Sequence, residues 1–111
     1  MTNRFDECMR MMRRRDPQAR EDGFWTLRPH AAEHLDELIA AFRTEEDHGL
    51  RCWLLELIGD ARSPEALPIL VEHLDHEDES FASWAATGLQ KLDTKEARTA
   101  LYRHRANNAH N

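Results

Sequence analysis

Apolar residues along the chain recur with the spacing of one face of an α-helix. Between Leu50 and Ile58 they occupy positions i, i+3, i+4, i+7 and i+8, which is the pattern of a helix with one buried side. The same pattern starts again at Phe81, and shorter versions cover residues 35–42 and 67–74. No Asn-Gly or Asp-Gly pair separates two segments of alternating polarity, so no β-hairpin is predicted. The pattern therefore predicts an all-α protein.

The helical segments repeat along the chain with an offset of 31 residues. This offset brings Asp16, Asp47 and Asp78 into one column and aligns Trp53 with Trp84. Each aspartate directly precedes a helical segment, where a carboxylate accepts hydrogen bonds from the free N–H groups of the first turn. Self-similarity at a fixed period of this length is typical of helical-repeat proteins.

The repeat predicts an α-α superhelix with one N-terminal helix, residues 3–14, and three helical hairpins. A single hairpin cannot bury its own apolar stripe, so neighbouring hairpins must stack on one another. The chain length of 111 residues suits one core, and we expect residues 1–111 to form a single repeat domain. The predicted hairpins cover residues 16–46, 47–77 and 78–108.

The segment from Leu57 to Leu70 reads LIGDARSPEALPIL, with a Gly-Asp turn that leads into a second helix containing Ala, Pro and a Leu-rich face. This segment resembles the centre of the short HEAT-like repeats found in phycobilisome-lyase-type proteins and many bacterial solenoid proteins. The resemblance implies a HEAT-like superhelix in which Arg20 and Arg51 tie one hairpin to the next through an aspartate ladder. The first hairpin departs from the pattern, because Arg-Pro-His at residues 28–30 replaces the Gly-Asp turn.

Acidic residues are concentrated in the middle of the chain. Residues 29–96 contain sixteen Asp and Glu against five Lys and Arg, a balance that disfavours nucleic acid and favours a basic protein partner. In a right-handed solenoid of this kind the second helix of each hairpin lines the inner surface. Acidic side chains on these helices either form a strip that binds the partner or lie on a solvated face. The residues of the predicted strip are Asp36, Glu37, Glu72 and Asp75.

Trp25 is the tryptophan that the repeat places in a polar column, together with Glu56 and Thr87. The column predicts a solvent-facing side chain, whereas Trp53 and Trp84 fall on apolar faces and are predicted to belong to the core. A tryptophan in such a column is either an exposed anchor for a partner or a local plug in the irregular first hairpin.

Two pairs of histidines raise the question of a metal site. His30 and His34 lie in the segment HAAEH, the H-x-x-E-H order of one class of zinc proteases, and the alternative is the exposed first turn of a helix that starts at Pro29. His73 and His76 follow the end of a helical segment, where histidines also interact favourably with the helix dipole. The sequence leaves both interpretations open for each pair, and we predict no metal and no cofactor.

Cys8 and Cys52 fall among apolar neighbours in helical segments. Two buried, reduced thiols fit a cytoplasmic protein, and a disulfide between them is the alternative. No apolar stretch is long enough for a signal peptide or a membrane span, so we expect a cytoplasmic protein without membrane contact.

No Ser, Cys or Thr has a histidine partner that spacing identifies, and no Gly-rich phosphate loop is present, so we predict a non-enzymatic protein-binding module without catalytic residues. The concrete version of this prediction is an immunity or antitoxin-like protein that binds a basic toxin domain. One alternative is a lyase-like or pigment-handling accessory enzyme with Cys52 as its nucleophile. The other is a structural repeat protein that forms homo-oligomers through uncapped ends.

Overall fold

The computed structural model describes residues 3–109, and among these residues there are helices but no strand. One N-terminal helix precedes three pairs of helices, so the prediction of an all-α superhelix with three helical hairpins is confirmed. The described chain forms an elongated stack with extents of 49 × 24 × 21 Å. The α-helices are α1 (Arg4–Met12), α2 (Pro17–Leu27), α3 (Leu35–Thr44), α4 (His48–Asp60), α5 (Leu67–Leu74), α6 (Glu79–Leu92) and α7 (Lys95–Asn108), with short 3₁₀ helices at Arg28–His30 and Pro64–Ala66.

The first helix of each hairpin starts at the repeated aspartate, as the sequence predicts. Asp47 accepts a hydrogen bond from the N–H of Leu50 at 2.8 Å, and Asp78 accepts one from the N–H of Ser80 at 2.9 Å. Asp16 occupies the same position before α2. These carboxylates satisfy amide groups that have no partner within the helix, which fixes where each hairpin begins.

A continuous apolar core runs through the stack. Its fully buried side chains come from both helices of the hairpins and include Phe42, Ile58 and Leu89. Trp53 and Trp84 pack against this core but are only partly buried, so they belong to its edge. The helical pattern also placed Val71 on an apolar face, yet this side chain is exposed. Val71 lies on a part of the α5 surface that the neighbouring helices leave exposed.

Helices α4 and α6 approach closely at two glycines. A Cβ atom added to Gly59 would lie 2.8 Å from the Cα of Gly88, and a Cβ added to Gly88 would lie 2.9 Å from a methyl group of Leu70. Both distances are shorter than carbon atoms tolerate. The close packing of the second hairpin on the third therefore depends on these two positions having no side chain.

The first hairpin differs from the other two at its turn. Arg62 and Asp93 are 31 residues apart and both have left-handed backbone conformations, with φ of 50° and 51°. Ala31, the equivalent residue of the first hairpin, instead has φ of −57° and is buried. Ala31 therefore does not form the left-handed turn of the other two hairpins, and residues 28–30 form a 3₁₀ helix. The prediction that a helix starts at Pro29 is wrong, since α3 starts at Leu35.

Arg51 contacts its neighbours differently from the aspartate ladder that the resemblance implied. Its Nε donates to the backbone carbonyl of Phe42 at 3.1 Å, and its guanidinium carbon lies 4.4 Å and 4.8 Å from the ring centroids of Phe42 and Phe81. The arginine therefore joins α3, α4 and α6 by stacking between two aromatic rings and by closing one helix end.

Candidate protein-binding surface

Trp25 lies in the last turn of α2 and is 57% exposed. The edge of its ring meets Phe24, with ring centroids 5.3 Å apart, and the guanidinium carbon of Arg28 lies 5.1 Å from its own centroid. A cavity of about 450 Å³ opens beside it, lined also by Pro29, Asp60 and Arg62. The exposure of Trp25 agrees with its place in a polar repeat column.

Asp60 forms the floor of this cavity and joins all three hairpins. Its side chain is 5% exposed and forms ion pairs with Lys91 of α6 and with Arg28. The Nε atom of Arg28 lies 3.0 Å from Oδ2, but its N–H is not aligned with that oxygen, so Oδ2 accepts no hydrogen bond from the residues described. The carboxylate is thus held mainly by Lys91 and by charge.

Glu56 lies one turn before Asp60 on α4, and its carboxyl group interacts with the same cations, Arg28 and Lys91. Burial of its carboxyl group, together with the negative charge of Asp60, raises the pKa of Glu56, and the positive charges of Arg28 and Lys91 only partly oppose this. Cations from the hairpins on either side therefore offset only part of the cost of placing two carboxylates on one helix face.

A second, acidic recess of about 530 Å³ lies between residues 32–37 and the turn at residues 63–65. A hydrogen bond with His30 lowers the pKa of Glu33, and the hydroxyl of Ser63 lowers the pKa of Glu65. These carboxylates are accordingly ionised at neutral pH, and the recess is suited to bind cationic groups. Its four acidic residues are Glu33, Asp36, Glu37 and Glu65.

The acidic strip predicted along the second helices is divided in the structure. Asp36 and Glu37 line the acidic recess. Glu72 instead forms an ion pair with Arg43 of α3 at 3.0 Å, and Asp75 pairs with His104 of α7. The first two residues are thus placed together with further carboxylates, whereas the other two connect neighbouring second helices, and Arg43 partly neutralises the charge of Glu72.

The histidines of the two pairs contact other groups of the chain, and His73 and His76 also stack on each other with ring centroids 5.6 Å apart. Nδ1 of His34 lies 2.7 Å from Glu37, and Nδ1 of His30 lies 3.3 Å from Glu33. His73 is buried and donates from Nδ1 to the backbone carbonyl of Ile69 at 2.9 Å. Across residues 3–109, no three His, Cys, Asp or Glu side chains are grouped so that they could hold a metal ion.

Two features of this surface are not predicted from the sequence. They are the ionic contacts around Asp60 and the position of Glu65 in the acidic recess. A signal was present for the first, because Asp60 and Lys91 share one repeat column. Opposite charges at equivalent positions of adjacent hairpins are well placed to pair across the stack. Glu65 is one of the acids that the sequence assigns to the second helical segments, but its position beside residues 33–37 depends on how the turn at Ser63 folds against α3.

Two adjoining regions thus form one candidate surface, which we call the turn surface: Trp25 with its cavity, and the acidic recess. Stacked helical hairpins of this kind define a helical-repeat protein. A family model described as HEAT repeats matches residues 35–111, and the chain belongs to the HEAT repeat family. HEAT repeats generally serve as protein-interaction modules. No curated protein and no solved structure matches the chain significantly. Among the residues that the structure describes, no helix is long and apolar enough to cross a membrane.

Proposed function

We propose that this chain is a non-enzymatic protein-binding module whose turn surface takes a partner with a basic surface. The observation that carries the proposal is the acidic recess, whose described lining contains four carboxylates and His34 but neither lysine nor arginine, although Arg4 lies 3.7 Å from Glu33. A recess of one charge attracts the opposite charge during diffusional encounter and disfavours acidic competitors.

Trp25 supplies the second part of the proposed contact. Tryptophan is enriched among the few residues that contribute most of the binding free energy at protein interfaces. Its exposed ring lies next to Pro29 and above the Arg28–Asp60 ion pair, so a partner that covers the indole would also desolvate this pair. The acidic recess would then set orientation and association rate, while Trp25 would set the lifetime of the complex.

An immunity or antitoxin role is the specific form of this proposal. A small acidic protein that covers the basic surface of a toxin prevents the toxin from reaching its own anionic target. The chain has a net charge of −6, and its acidic groups are clustered in a recess rather than spread evenly. Both features support a partner of this kind.

Capture from native lysate of the source cells, with the chain immobilised, tests the proposal. We expect a stoichiometric basic protein that binds the wild type and is lost with Asp36→Lys combined with Glu65→Lys. The matched control, Glu77→Lys with Glu79→Lys, changes the net charge equally at exposed positions outside the turn surface and should retain the partner. Absence of a stoichiometric partner, or equal loss from both double variants, would refute the proposal.

Substitution of the tryptophan tests the proposed anchor separately. Trp25→Ala should weaken binding of the captured partner at least about tenfold, mainly through faster dissociation. Tyr102→Ala removes an exposed aromatic ring elsewhere, on α7, and should leave the turn surface able to bind. If the two substitutions have the same effect, Trp25 is not the anchor.

A further inference from the structure

Two of the three large apolar side chains that are exposed in the described chain occupy equivalent repeat positions. These are Val71 on α5 and Tyr102 on α7, with exposed fractions of 41% and 73%. Their separation of 31 residues equals the repeat offset, and the matching residue on α3 is Ala40, which is also exposed. The second helices therefore carry an apolar line across an otherwise polar surface.

The same face carries opposite charges at its two ends. One column next to the apolar line reads Glu33, Pro64 and Lys95 from the first hairpin to the third. The other column reads Asp36, Leu67 and Arg98. Leu67 is half-buried and the other five residues are exposed. In these two columns the first hairpin thus presents acid, with Glu33 paired to Arg4, the middle hairpin presents apolar groups, and the third presents base, with Arg98 paired to Asp93. We call these three columns the second-helix face: Glu33, Pro64, Lys95; Asp36, Leu67, Arg98; Ala40, Val71, Tyr102.

This arrangement is complementary to itself when the first and third hairpins are exchanged. We propose that the second-helix face binds a second copy of the chain, in a dimer whose two-fold axis runs along α5. The axis places Val71 against Val71 of the second copy and α3 against α7 of the second copy. The small Ala40 then faces the large Tyr102, and the acidic columns face the basic ones. An isologous interface requires this kind of self-complementarity.

Polar contacts between neighbouring second helices hold the second-helix face in a fixed arrangement before any second copy binds. Arg43 of α3 forms an ion pair with Glu72 of α5 at 3.0 Å, and Asp75, directly after α5, forms a hydrogen bond with His104 of α7. Both pairs span 29 residues, so they hold the three helices side by side in the same register. A face that is already ordered loses less conformational entropy when it binds.

The dimer goes beyond the proposed function and overlaps with it at Glu33 and Asp36. A basic partner in the acidic recess and a second copy on the second-helix face would compete for these carboxylates. The two proposals can still be tested apart, because the dimer is measured with purified chain alone and the partner is measured by capture.

Sedimentation equilibrium of the purified chain tests the dimer. We expect the wild type to approach twice its monomer mass of 13.0 kDa at concentrations of about 200 µM, a range in which weak specific interfaces are populated. Val71→Glu places two like charges on the axis and should weaken the dimer at least about tenfold. Because Val71 is exposed, this variant should keep the wild-type melting temperature. Trp25→Ala, an exposed apolar residue outside the second-helix face, should sediment as the wild type does.

A charge exchange tests the two-fold arrangement itself. Glu33→Lys with Asp36→Lys, and separately Lys95→Glu with Arg98→Glu, should each yield a monomer. An equimolar mixture of the two double variants should restore a dimer, because each altered face then meets its complement. A wild type that stays monomeric at about 200 µM, a dimer unaffected by Val71→Glu, or folded double variants that do not associate when mixed would each overturn the proposal.

Discussion

Asp60 shows at the residue scale how one side chain connects several parts of the stack. Its carboxylate is almost fully buried and is paired with Lys91 and Arg28, which belong to the hairpins on either side. A buried carboxylate of this kind is expensive to leave without cations, because it has lost the hydration that an exposed carboxylate keeps.

Asp60→Asn should therefore destabilise the fold by about 3 kcal/mol, since it leaves Lys91 and Arg28 without their counter-charge in a partly buried site. Chemical denaturation by urea measures the change. The control is Asp93→Asn, which removes an exposed ion pair with Arg98 and should cost less than about 1 kcal/mol. Similar losses in the two variants would show that the burial of Asp60 has no energetic consequence.

The alternative of a lyase-like enzyme depends on a single residue, Cys52, acting as a nucleophile. Its sulfur lies 3.9 Å from both ring nitrogens of His48, and Nε2 of His48 lies 2.8 Å from Asp78. The order Cys-His-Asp resembles a nucleophile with its base, but burial of the thiol, followed by the negative charge of Asp78, raises the pKa of Cys52. The thiol is therefore protonated at neutral pH, and a protonated thiol is a poor nucleophile.

Thiol labelling in a Cys8→Ala background tests whether the Cys52 thiol is protonated at neutral pH. At pH 7 the folded protein should react more slowly than the same protein in urea, and the rate should keep rising as the pH passes the usual value for cysteine. The direction follows from the raised pKa, because less thiolate is present at any given pH. Labelling of the folded state that is faster than in urea would instead support an activated nucleophile.

At the scale of helices, the contact between α4 and α6 depends on glycines that meet at the crossing point. Gly59 and Gly88 allow the two backbones to approach, and Leu70 of α5 covers them from one side. The stacking of the second and third hairpins thus rests on the absence of two side chains as much as on apolar burial.

Gly88→Ala should destabilise the protein by about 2 kcal/mol, because the new methyl group would meet Leu70 and the backbone of α4 in a packed core. Thermal unfolding followed by circular dichroism measures it. In Gly49→Ala the new methyl group has ordinary space, and alanine's higher helix propensity should leave stability unchanged or raise it by about 0.5 kcal/mol. A stabilising effect of Gly88→Ala would contradict the close approach of the helices.

The positions of the helices could be predicted from sequence more fully than the turns between them. Asp47 and Asp78 cap their helices as expected, because N-capping depends on a few neighbouring residues. The turn after α2 could not be predicted, since its course depends on the burial of Ala31 against the rest of the stack. The exposure of Val71 could not be predicted either, because apolar periodicity defines only a broad stripe on a helix. It does not show which part of that stripe a neighbouring helix covers.

Charge is distributed unevenly over the whole molecule, and this distribution links both proposals. Residues 10–15 and α7 are rich in arginine, whereas residues 29–96 carry most of the acid. A third cavity, a groove of about 460 Å³, lies between the end of α1 and the start of α4 and is lined by Arg14, Arg15 and Arg20 together with Glu45 and Asp47. The chain therefore presents both signs of charge to other molecules.

Salt should weaken the proposed partner complex. Raising the salt concentration from about 0.05 M to about 0.5 M should lower the affinity for the captured partner about tenfold, mainly through slower association, because exposed charges are screened over a few ångströms. Binding kinetics on immobilised chain would measure this. The Asp36→Lys, Glu65→Lys variant should show little further salt dependence, and an affinity of the wild type that does not change with salt would exclude charge as its basis.

The sequence by itself determined the class of fold, the number of hairpins and the residues that start them. These features follow from apolar periodicity, N-caps and the 31-residue repeat. Periodicity and caps depend on residues within one or two helical turns, and the repeat relates hairpins of similar sequence. Only the tertiary structure decided which acids gather in a recess and which pair internally, as Glu65 and Glu72 show. It also decided that Val71 and Tyr102 face outward together. Such placements depend on the distance between surfaces of different helices, and a single linear pattern does not contain that distance.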